Sequence, residues 1–328
     1  MAFVPTPFAT PVVAPSTYQQ GRKVSYITPS WYRFAPTSVG TRGLVIGSND
    51  TQVDSTASLA QIISRASAWV DSHCFHGGDG SFAGSVTVEQ DLVQIKPDGS
   101  IVLICNLKPV REVVGIALGG TPGNLTDIGP NTAGNVVLQG KTITLPAVYD
   151  SGNPTGWYGP WPSVNGMVMA VYSYVSGWPH STLAADAAEG DSTLVVAPPV
   201  PGATQLYGAY AGSQLTIKDG QNTETVTLAA ASDSLTLSLA APLQYDHTVP
   251  EAPDAINVTA MPDDIEQATI SMVNVLIKTQ GMRAQQLPGS IGTASPQQQK
   301  AMSRAGALGD FEAACMILHP YRTTFLHS

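Results

Sequence analysis

Residues 190–194 read Gly-Asp-Ser-Thr-Leu, and no other stretch comes closer to a catalytic motif by residue type. In this context Ser192 is a candidate esterase nucleophile, and that chemistry needs a histidine base oriented by an acid. Asp246 and His247 are adjacent and lack the Asp-x-x-His spacing of such enzymes. The serine also opens a predicted strand inside an all-β region, where a turn is the simpler interpretation. We therefore predict no catalytic residue and no enzyme.

Metal binding is the second chemistry to weigh. His73, Cys74 and His76 are close in sequence, but structural zinc needs four ligands and the chain offers no second pair at a suitable spacing. Asp219, Asn222 and Glu224 supply oxygen atoms for a weak calcium site, yet their spacing is too short for an EF-hand loop and fits a hairpin turn. Neither a glycine-rich phosphate loop nor a paired-carboxylate site is present, so we predict no metal and no cofactor.

The net charge limits the classes of partner that the protein can bind. The 328 residues contain 15 Lys and Arg against 24 Asp and Glu, a net charge of −9, and no cluster of basic residues interleaved with aromatics. Tight binding to a phosphate backbone requires a basic surface, so the composition excludes an avid nucleic-acid binder. An acidic surface that faces DNA would let the DNA slide past.

The cysteines and the apolar runs indicate the cellular compartment in which the protein resides. Three cysteines, odd in number and far apart, predict buried free thiols in a reducing compartment. The longest apolar run, 167–175, is too short to span a bilayer, and the first residues lack the pattern of a secretory signal. We expect a protein that is not exported and has no membrane partner.

Three helices are predicted to carry the core. The central one spans 262–280, with Pro262 at its first position and three acidic residues in its first turn. The others span 55–74 and 310–319, and each has an apolar stripe at helical spacing. Between them the chain reads as strands at 86–88, 91–95, 101–105, 113–118, 136–138, 141–145, 164–175, 193–197, 214–218, 224–228 and 235–239. The turn at 96–100 predicts a hairpin between 86–95 and 101–105, and Thr28 followed by Pro29 is a candidate cap of a further short helix.

Three parts of the chain have features of a protein that completes its fold in an assembly. The first residues combine four prolines with apolar side chains and are either disordered or ordered on a neighbour. The strand at 164–175 is apolar on both faces and should be a central strand or bury one face in a partner. The polar stretch 284–303 reads as a loop that is mobile or ordered by a partner.

Three short blocks of sequence resemble one family. They are Tyr-Ser-Tyr-Val-Ser-Gly-Trp-Pro at 172–179, Met-Pro-Asp-Asp-Ile-Glu-Gln-Ala at 261–268, and Ala-Cys-Met-Ile-Leu-His-Pro-Tyr-Arg at 314–322. In this order they are similar to the head-to-tail connector (adaptor) proteins of long-tailed bacteriophages. The region 181–257 lies outside this likeness and is similar to β-modules of phage virion proteins.

The resemblance implies a structural role in the virion neck. Such proteins form rings, usually of twelve copies, that are assembled in the host cytoplasm, dock under the portal protein, meet tail-side neck proteins and let DNA pass through the lumen. By the same resemblance the C-terminal segment contacts the portal, which makes His319, Pro320, Tyr321 and Arg322 the candidate contact residues.

The sequence therefore predicts an α+β fold: a small helical bundle with a β-rich part and an inserted antiparallel β-domain. The predicted domains are an extended arm at 1–50, a connector core at 51–180 and 258–328, and the inserted domain at 181–257. A tail or decoration protein of the virion, an esterase and a glycan hydrolase are the alternatives.

Overall fold

The computed structural model describes residues 24–41, 55–75, 80–96, 99–121, 123, 125–127, 136–145, 167–279, 295–304 and 306–322. These residues combine helices with antiparallel sheets, so the predicted α+β class is confirmed. They divide into two compact units, one at Ser85–Gly177 and the other formed by Arg22–Gly84 with Trp178–Ser328. We call them unit 1 and unit 2. The predicted connector core is shared between both units, and 181–257 lies within unit 2.

Unit 1 consists of two antiparallel sheets around one hydrophobic cluster. Its strands are β1 (Ser85–Gln94), β2 (Ile101–Ile104), β3 (Val110–Gly119), β4 (Leu125–Asp127), β5 (Val137–Gln139), β6 (Thr142–Leu145) and β7 (Met167–Ser176). One sheet has the order β1-β7-β3-β4 and the other the order β2-β6-β5. Both sheets turn branched aliphatic or aromatic residues towards the shared core, because alternate residues of a strand share a face.

Strand β7 is central, which is one of the two arrangements that its two apolar faces predicted. It pairs with β1 on one side and β3 on the other. Val168, Ala170, Tyr172 and Tyr174 are buried on its inner face, whereas Met167, Met169 and Val171 on the outer face are only half-buried. A central position therefore accounts for one apolar face and leaves the other partly exposed.

The predicted hairpin between 86–95 and 101–105 is wrong. Residues 85–94 form one continuous strand on β7, and β2 pairs with β6. Only a single bridge, Ile95 to Ile101, joins the two segments. The turn around Gly99 reverses the direction of the chain. Each strand nevertheless pairs with a strand distant in sequence, because packing against cross-strand neighbours decides strand pairing more than the connecting turn does.

Unit 2 contains the remaining strands and the helices. The strands are β8 (His180–Thr182), β9 (Thr193–Val195), β10 (Gln214–Lys218), β11 (Glu224–Thr227), β12 (Thr236–Ser238) and β13 (Asn257–Thr259). One sheet has the order β11-β10-β13-β8, and β9 pairs with β12. The predicted hairpin β10–β11 is confirmed, with a 3-10 turn at Gly220–Asn222. Strands β4, β8 and β13 were not predicted, since their sequences Leu-Thr-Asp, His-Ser-Thr and Asn-Val-Thr contain at most one apolar residue each.

The helices are α1 (Pro29–Phe34), α2 (Ser55–Cys74), α3 (Asp263–Lys278), α4 (Pro296–Arg304) and α5 (Leu308–Leu318). Residues of all five share one hydrophobic cluster. In α2 the predicted stripe is buried, including Leu59, Ile63 and Val70. No helix in this part of the chain is long and apolar enough to cross a membrane.

Helix α3 differs from its prediction in two ways. Pro262 is the N-cap residue rather than the first helical residue, and the helix begins at Asp263. The helix is also buried on most of its circumference, including Asn274, which lies off the predicted apolar stripe. Tyr32 of α1 donates its hydroxyl hydrogen to Asn274 Oδ1 at 2.6 Å, so a polar residue is buried because α1 supplies its partner.

Two predicted irregular segments contain helices. Within the predicted arm 1–50, residues 24–41 hold α1 and the fully buried Tyr26, Ile27 and Tyr32, so this part is not an extended arm. Thr28 caps α1 as predicted, accepting from the Trp31 N–H at 3.2 Å. Within the predicted loop 284–303, α4 begins at Pro296 and buries Met302. Residues 1–23 and 284–294 lie outside the described residues.

Candidate functional site

The predicted contact residues follow directly from the last helix. Phe311, Ala314 and Leu318 bury one side of α5, and the chain continues into a 3-10 turn at His319–Tyr321. Pro320 cannot donate a backbone hydrogen bond, so it ends the α-helix there. His319 and Pro320 are exposed, whereas Tyr321 and Arg322 are half-buried. The four residues thus lie on the surface of unit 2 at the end of a well-packed helix.

An aromatic cluster holds the turn in place. The Tyr321 ring lies edge-on to Phe82, with centroids 5.7 Å apart, and edge-on to Trp178 at 6.2 Å. Phe82 also packs against Phe75 at 4.9 Å and against Trp178 at 5.9 Å. Edge-to-face pairs of this kind stabilise by about 0.5–1.5 kcal/mol each beyond the area that they bury. Tyr321 is therefore an anchor of the C-terminal turn.

The N-terminal end of α3 meets the same turn. The Tyr321 hydroxyl donates to Asp264 Oδ2 at 3.4 Å, and burial together with the Asp264 charge raises the pKa of Tyr321. Asp264 is in the first turn of α3, where a negative charge is favourable next to the helix dipole. Trp178 belongs to the block at 172–179, Asp264 to the block at 261–268 and Tyr321 to the block at 314–322. The fold thus brings one residue of each block to one place, which we call the Tyr321 cluster.

Sequence reasoning missed Phe82, which completes this cluster. It is fully buried, and its backbone N–H donates to the Tyr26 hydroxyl at 2.9 Å. The signal in the sequence is a single aromatic residue between Gly80 and Gly84. A Cβ at Gly84 would lie 2.8 Å from the carbonyl oxygen of Tyr207, so only glycine lets the chain pass here.

The structure does not assemble the esterase site. Ser192 is exposed, and its carbonyl accepts from Leu239 N in the β9–β12 pair. His247 has Nδ1 at 2.9 Å from Asp219 Oδ2 and Nε2 at 2.8 Å from Glu224 Oε1. Both ring nitrogens are thereby engaged away from Ser192, so this histidine is not the base that a serine nucleophile needs.

The residues weighed for metals are also engaged elsewhere. Asp219 and Glu224 lie at opposite edges of the His247 ring, and Glu224 in addition accepts the backbone N–H groups of Gln244 and Tyr245. His73 stacks on Trp69 with centroids 4.8 Å apart. Among the described residues no group of three His, Cys, Asp or Glu side chains could hold a metal ion. His76 lies outside the described residues. Cys74, Cys105 and Cys315 are buried free thiols, as predicted.

A buried ion pair that the sequence did not indicate joins β10, α1 and α3. Lys218 Nζ lies 2.8 Å from Asp263 Oδ1, 3.3 Å from Glu266 Oε2 and 5.0 Å from the centre of the Trp31 ring. Glu266 is 3% exposed, and its Oε1 has no hydrogen-bond partner in the described part of the chain. Burial outweighs the attraction to Lys218 and raises the pKa of Glu266 to about 7.

His180 is a further buried titratable group of unit 2. Its Nε2 lies 3.0 Å from the carbonyl oxygen of Ser25, and its Nδ1 lies 2.9 Å from Thr259 Oγ1. Because a carbonyl only accepts, Nε2 carries a hydrogen; in the neutral ring Nδ1 is then the acceptor that faces the threonine hydroxyl. Burial lowers the pKa of His180 to about 4. It borders a cavity of about 150 Å³ that Pro29, Pro198 and Asn257 also line.

No family model, curated protein or solved structure matches this chain. The geometry therefore has to support a function by itself. It offers an anchored C-terminal turn with exposed residues, and ion pairs that hold elements of unit 2 together.

Proposed function

We propose that the chain is a subunit of a head-to-tail connector (adaptor) ring in the neck of a long-tailed bacteriophage virion. In this role, identical copies, twelve by the family resemblance, form a ring between the portal protein and the tail-side neck proteins. DNA passes through the lumen without specific binding. Assembly takes place in the host cytoplasm. The protein functions by binding its partners and does not convert a substrate.

The observation that carries the proposal is the Tyr321 cluster. The three blocks behind the family resemblance are separated by more than eighty and by about fifty residues. Trp178, Asp264 and Tyr321 nevertheless share one set of contacts. Because the three blocks are far apart in sequence, their contact in space supports the interpretation that they belong to one structural unit, as the resemblance implies.

The proposed portal contact follows from the exposure of each residue. His319 and Pro320 are exposed on the 3-10 turn, and the packing of Tyr321 against Phe82 holds the backbone of this turn in place. A rigid, pre-ordered segment loses little conformational entropy on binding, which favours affinity. We propose that His319, Pro320 and Arg322 meet the portal directly and that Tyr321 positions them.

The net charge of −9 fits a DNA conduit. Acidic walls repel the phosphate backbone, so passing DNA meets no basic surface that would hold it. The partly exposed outer face of β7 fits a subunit that is completed by its neighbours, since monomers rarely expose a large contiguous apolar patch.

The test is to co-express the full chain with the portal protein of the same phage and to view the purified complex by negative-stain electron microscopy. We expect a ring stacked on the portal. His319→Glu and Arg322→Glu should reduce the portal-bound fraction about tenfold, a loss of about 1.4 kcal/mol in binding. Arg65→Glu, an exposed arginine on α2, is the matched control and should bind as the wild type does.

A solitary chain that forms no ring and ignores the portal would overturn the proposal. A chain found by antibody labelling along the tail tube or on the capsid surface would instead assign it to the tail or decoration proteins. Hydrolysis of an ester or glycan that is lost in Ser192→Ala would make it an enzyme.

A further inference from the structure

The outer face of strands β1 and β7 in unit 1 is free of charge, and charged residues on the same side of the sheet, Glu112 and Asp127, begin only at β3 and β4. Strand register places Val86 beside Val175, Val88 beside Ser173 and Leu92 beside Met169. In β1 and β7 this face carries no charged side chain; its members are Val86, Val88, Gln90, Leu92, Gln94, Met167, Met169, Val171, Ser173 and Val175. Val88 and Leu92 are 51% and 52% exposed. We call this surface the outer sheet face.

Strand β1 has a partly inverted pattern, because Thr87, Glu89 and Asp91 lie on its inner side, whereas its outer side carries Val86, Val88 and Leu92 with two uncharged glutamines. Glu89 on the inner side accepts from Tyr174 Oη at 2.5 Å, from Tyr172 Oη at 3.0 Å and from the backbone N–H of Asn106 at 3.1 Å. Burial and the Glu89 charge raise the pKa of both tyrosines, so they stay protonated donors. A strand that faces solvent ordinarily carries its polar residues outward. The inversion indicates that the outer sheet face has a partner.

The chain itself contains a segment of matching chemistry. Residues 1–21 contain no Asp, Glu, Lys or Arg, and they include Phe3, Phe8 and Val12 among four prolines. The first charged residue is Arg22. Proline lacks a backbone N–H, so this segment is poorly suited to pair with a sheet edge, whereas it can lie across a sheet face through its side chains. We call residues 1–21 the uncharged segment.

We infer that the uncharged segment of one copy lies on the outer sheet face of the neighbouring copy. The inference rests on the proposed ring. A closed ring needs a heterologous contact, in which two different surfaces of the chain meet. Fully extended, twenty-one residues span about 70 Å, several times the radius of gyration of about 12 Å expected for a unit of the size of Ser85–Gly177. The segment is therefore long enough to reach a neighbour.

The experiment uses the full chain with Phe8→p-benzoylphenylalanine, a photo-crosslinking residue, followed by denaturing electrophoresis and peptide mass spectrometry. A contact between copies gives bands of two or more chains, with the cross-linked peptide in β1 or β7. The same substitution at Met316, an exposed residue of α5, is the control and should give no product in these strands. Leu92→Lys should lower the yield of the Phe8 product about tenfold. Val137→Lys, at a residue 54% exposed on β5, should leave it unchanged.

Products within a single chain, products outside the outer sheet face, or no product at all would overturn the inference. Light scattering on the same sample separates this failure from failure of the proposed function. If the chain is oligomeric and binds the portal but gives one of these results, only the inference fails. If the chain is monomeric and ignores the portal, the proposed function fails with it.

Discussion

At the scale of single residues, unit 2 contains two buried titratable groups whose effects on stability oppose each other. Burial raises the pKa of Glu266 to about 7 and lowers the pKa of His180 to about 4. The folded chain holds the Glu266 proton more tightly than the unfolded chain, so this group lowers the free energy of unfolding as the pH rises from about 4.5 to about 7. His180 acts in reverse, because the unfolded chain takes up its proton below about pH 6.5 and the folded chain resists it until about pH 4.

Glu266→Gln should therefore change the pH dependence of stability. The amide keeps the shape of the side chain and does not titrate. The contribution of His180 to the pH dependence of the free energy of unfolding therefore remains, and the opposing contribution of Glu266 is lost. Between about pH 4.5 and about pH 8, the free energy of unfolding of the variant should rise relative to the wild type by roughly 2–3 kcal/mol. Chemical denaturation at the two pH values, at one protein concentration, measures this difference.

Glu312→Gln is the matched control, since Glu312 is an exposed carboxylate on α5. Its pH profile should follow the wild type. If the Glu266 and Glu312 variants behave alike, Glu266 does not titrate in this range and the Lys218 pair dominates its protonation.

At the scale of elements, α3 holds α1 through hydrogen bonds rather than through apolar packing alone. Asn274 accepts from Tyr32 Oη at 2.6 Å and donates to the carbonyl oxygen of Thr37 at 2.8 Å. The backbone N–H of Val39 also lies 3.3 Å from Asn274 Oδ1. Gln267, two turns nearer the start of the helix, donates to Thr37 Oγ1 at 3.2 Å in an exposed contact. One side chain of α3 thus serves a buried network and another a solvated contact.

Asn274→Ala should destabilise the chain by about 2–4 kcal/mol, because it leaves a cavity and removes the hydrogen bonds that Asn274 makes with the buried Tyr32 hydroxyl and the Thr37 carbonyl. Gln267→Ala should cost less than about 0.5 kcal/mol, since water replaces its contact. Urea denaturation of both variants at one protein concentration tests the contrast. Equal losses would mean that the segment after α1 is held by something other than the Asn274 network.

At the scale of the whole molecule, charge and apolar surface have separate roles in the proposed assembly. The net charge of −9 keeps DNA at a distance, while the uncharged outer sheet face and the uncharged segment 1–21 provide surface for neighbours. An interface depleted of charge at its centre avoids the cost of desolvating ions, which is typical of stable subunit contacts.

The full chain should bind duplex DNA no more tightly than a Kd of about 10⁻⁴ M at about 0.15 M salt, the weak end of non-specific binding. Fluorescence anisotropy with a labelled duplex of random sequence measures this, and a basic DNA-binding protein in the same buffer is the positive control. A micromolar Kd with a steep dependence on salt would contradict a lumen that merely lets DNA pass.

Several features followed from the sequence because their causes are local. Helix α2 was predicted with its observed bounds, since an apolar stripe at helical spacing marks a helix without reference to its neighbours. The Thr28 cap, the β10–β11 hairpin and the central position of β7 followed from capping chemistry, a turn and two apolar faces. The three buried thiols followed from their apolar surroundings.

The tertiary structure alone decided which of these elements meet. The partner of β2, the burial of Asn274 and the helix at Pro296–Arg304 depend on surfaces distant in sequence, and local patterns carry no record of them. Of the candidate site, the sequence indicated His319, Pro320, Tyr321 and Arg322 but not that Phe82 and Asp264 would hold Tyr321. The sequence also did not predict the burial of Glu266 against Lys218, because a charged side chain is buried only when another element of the fold covers it.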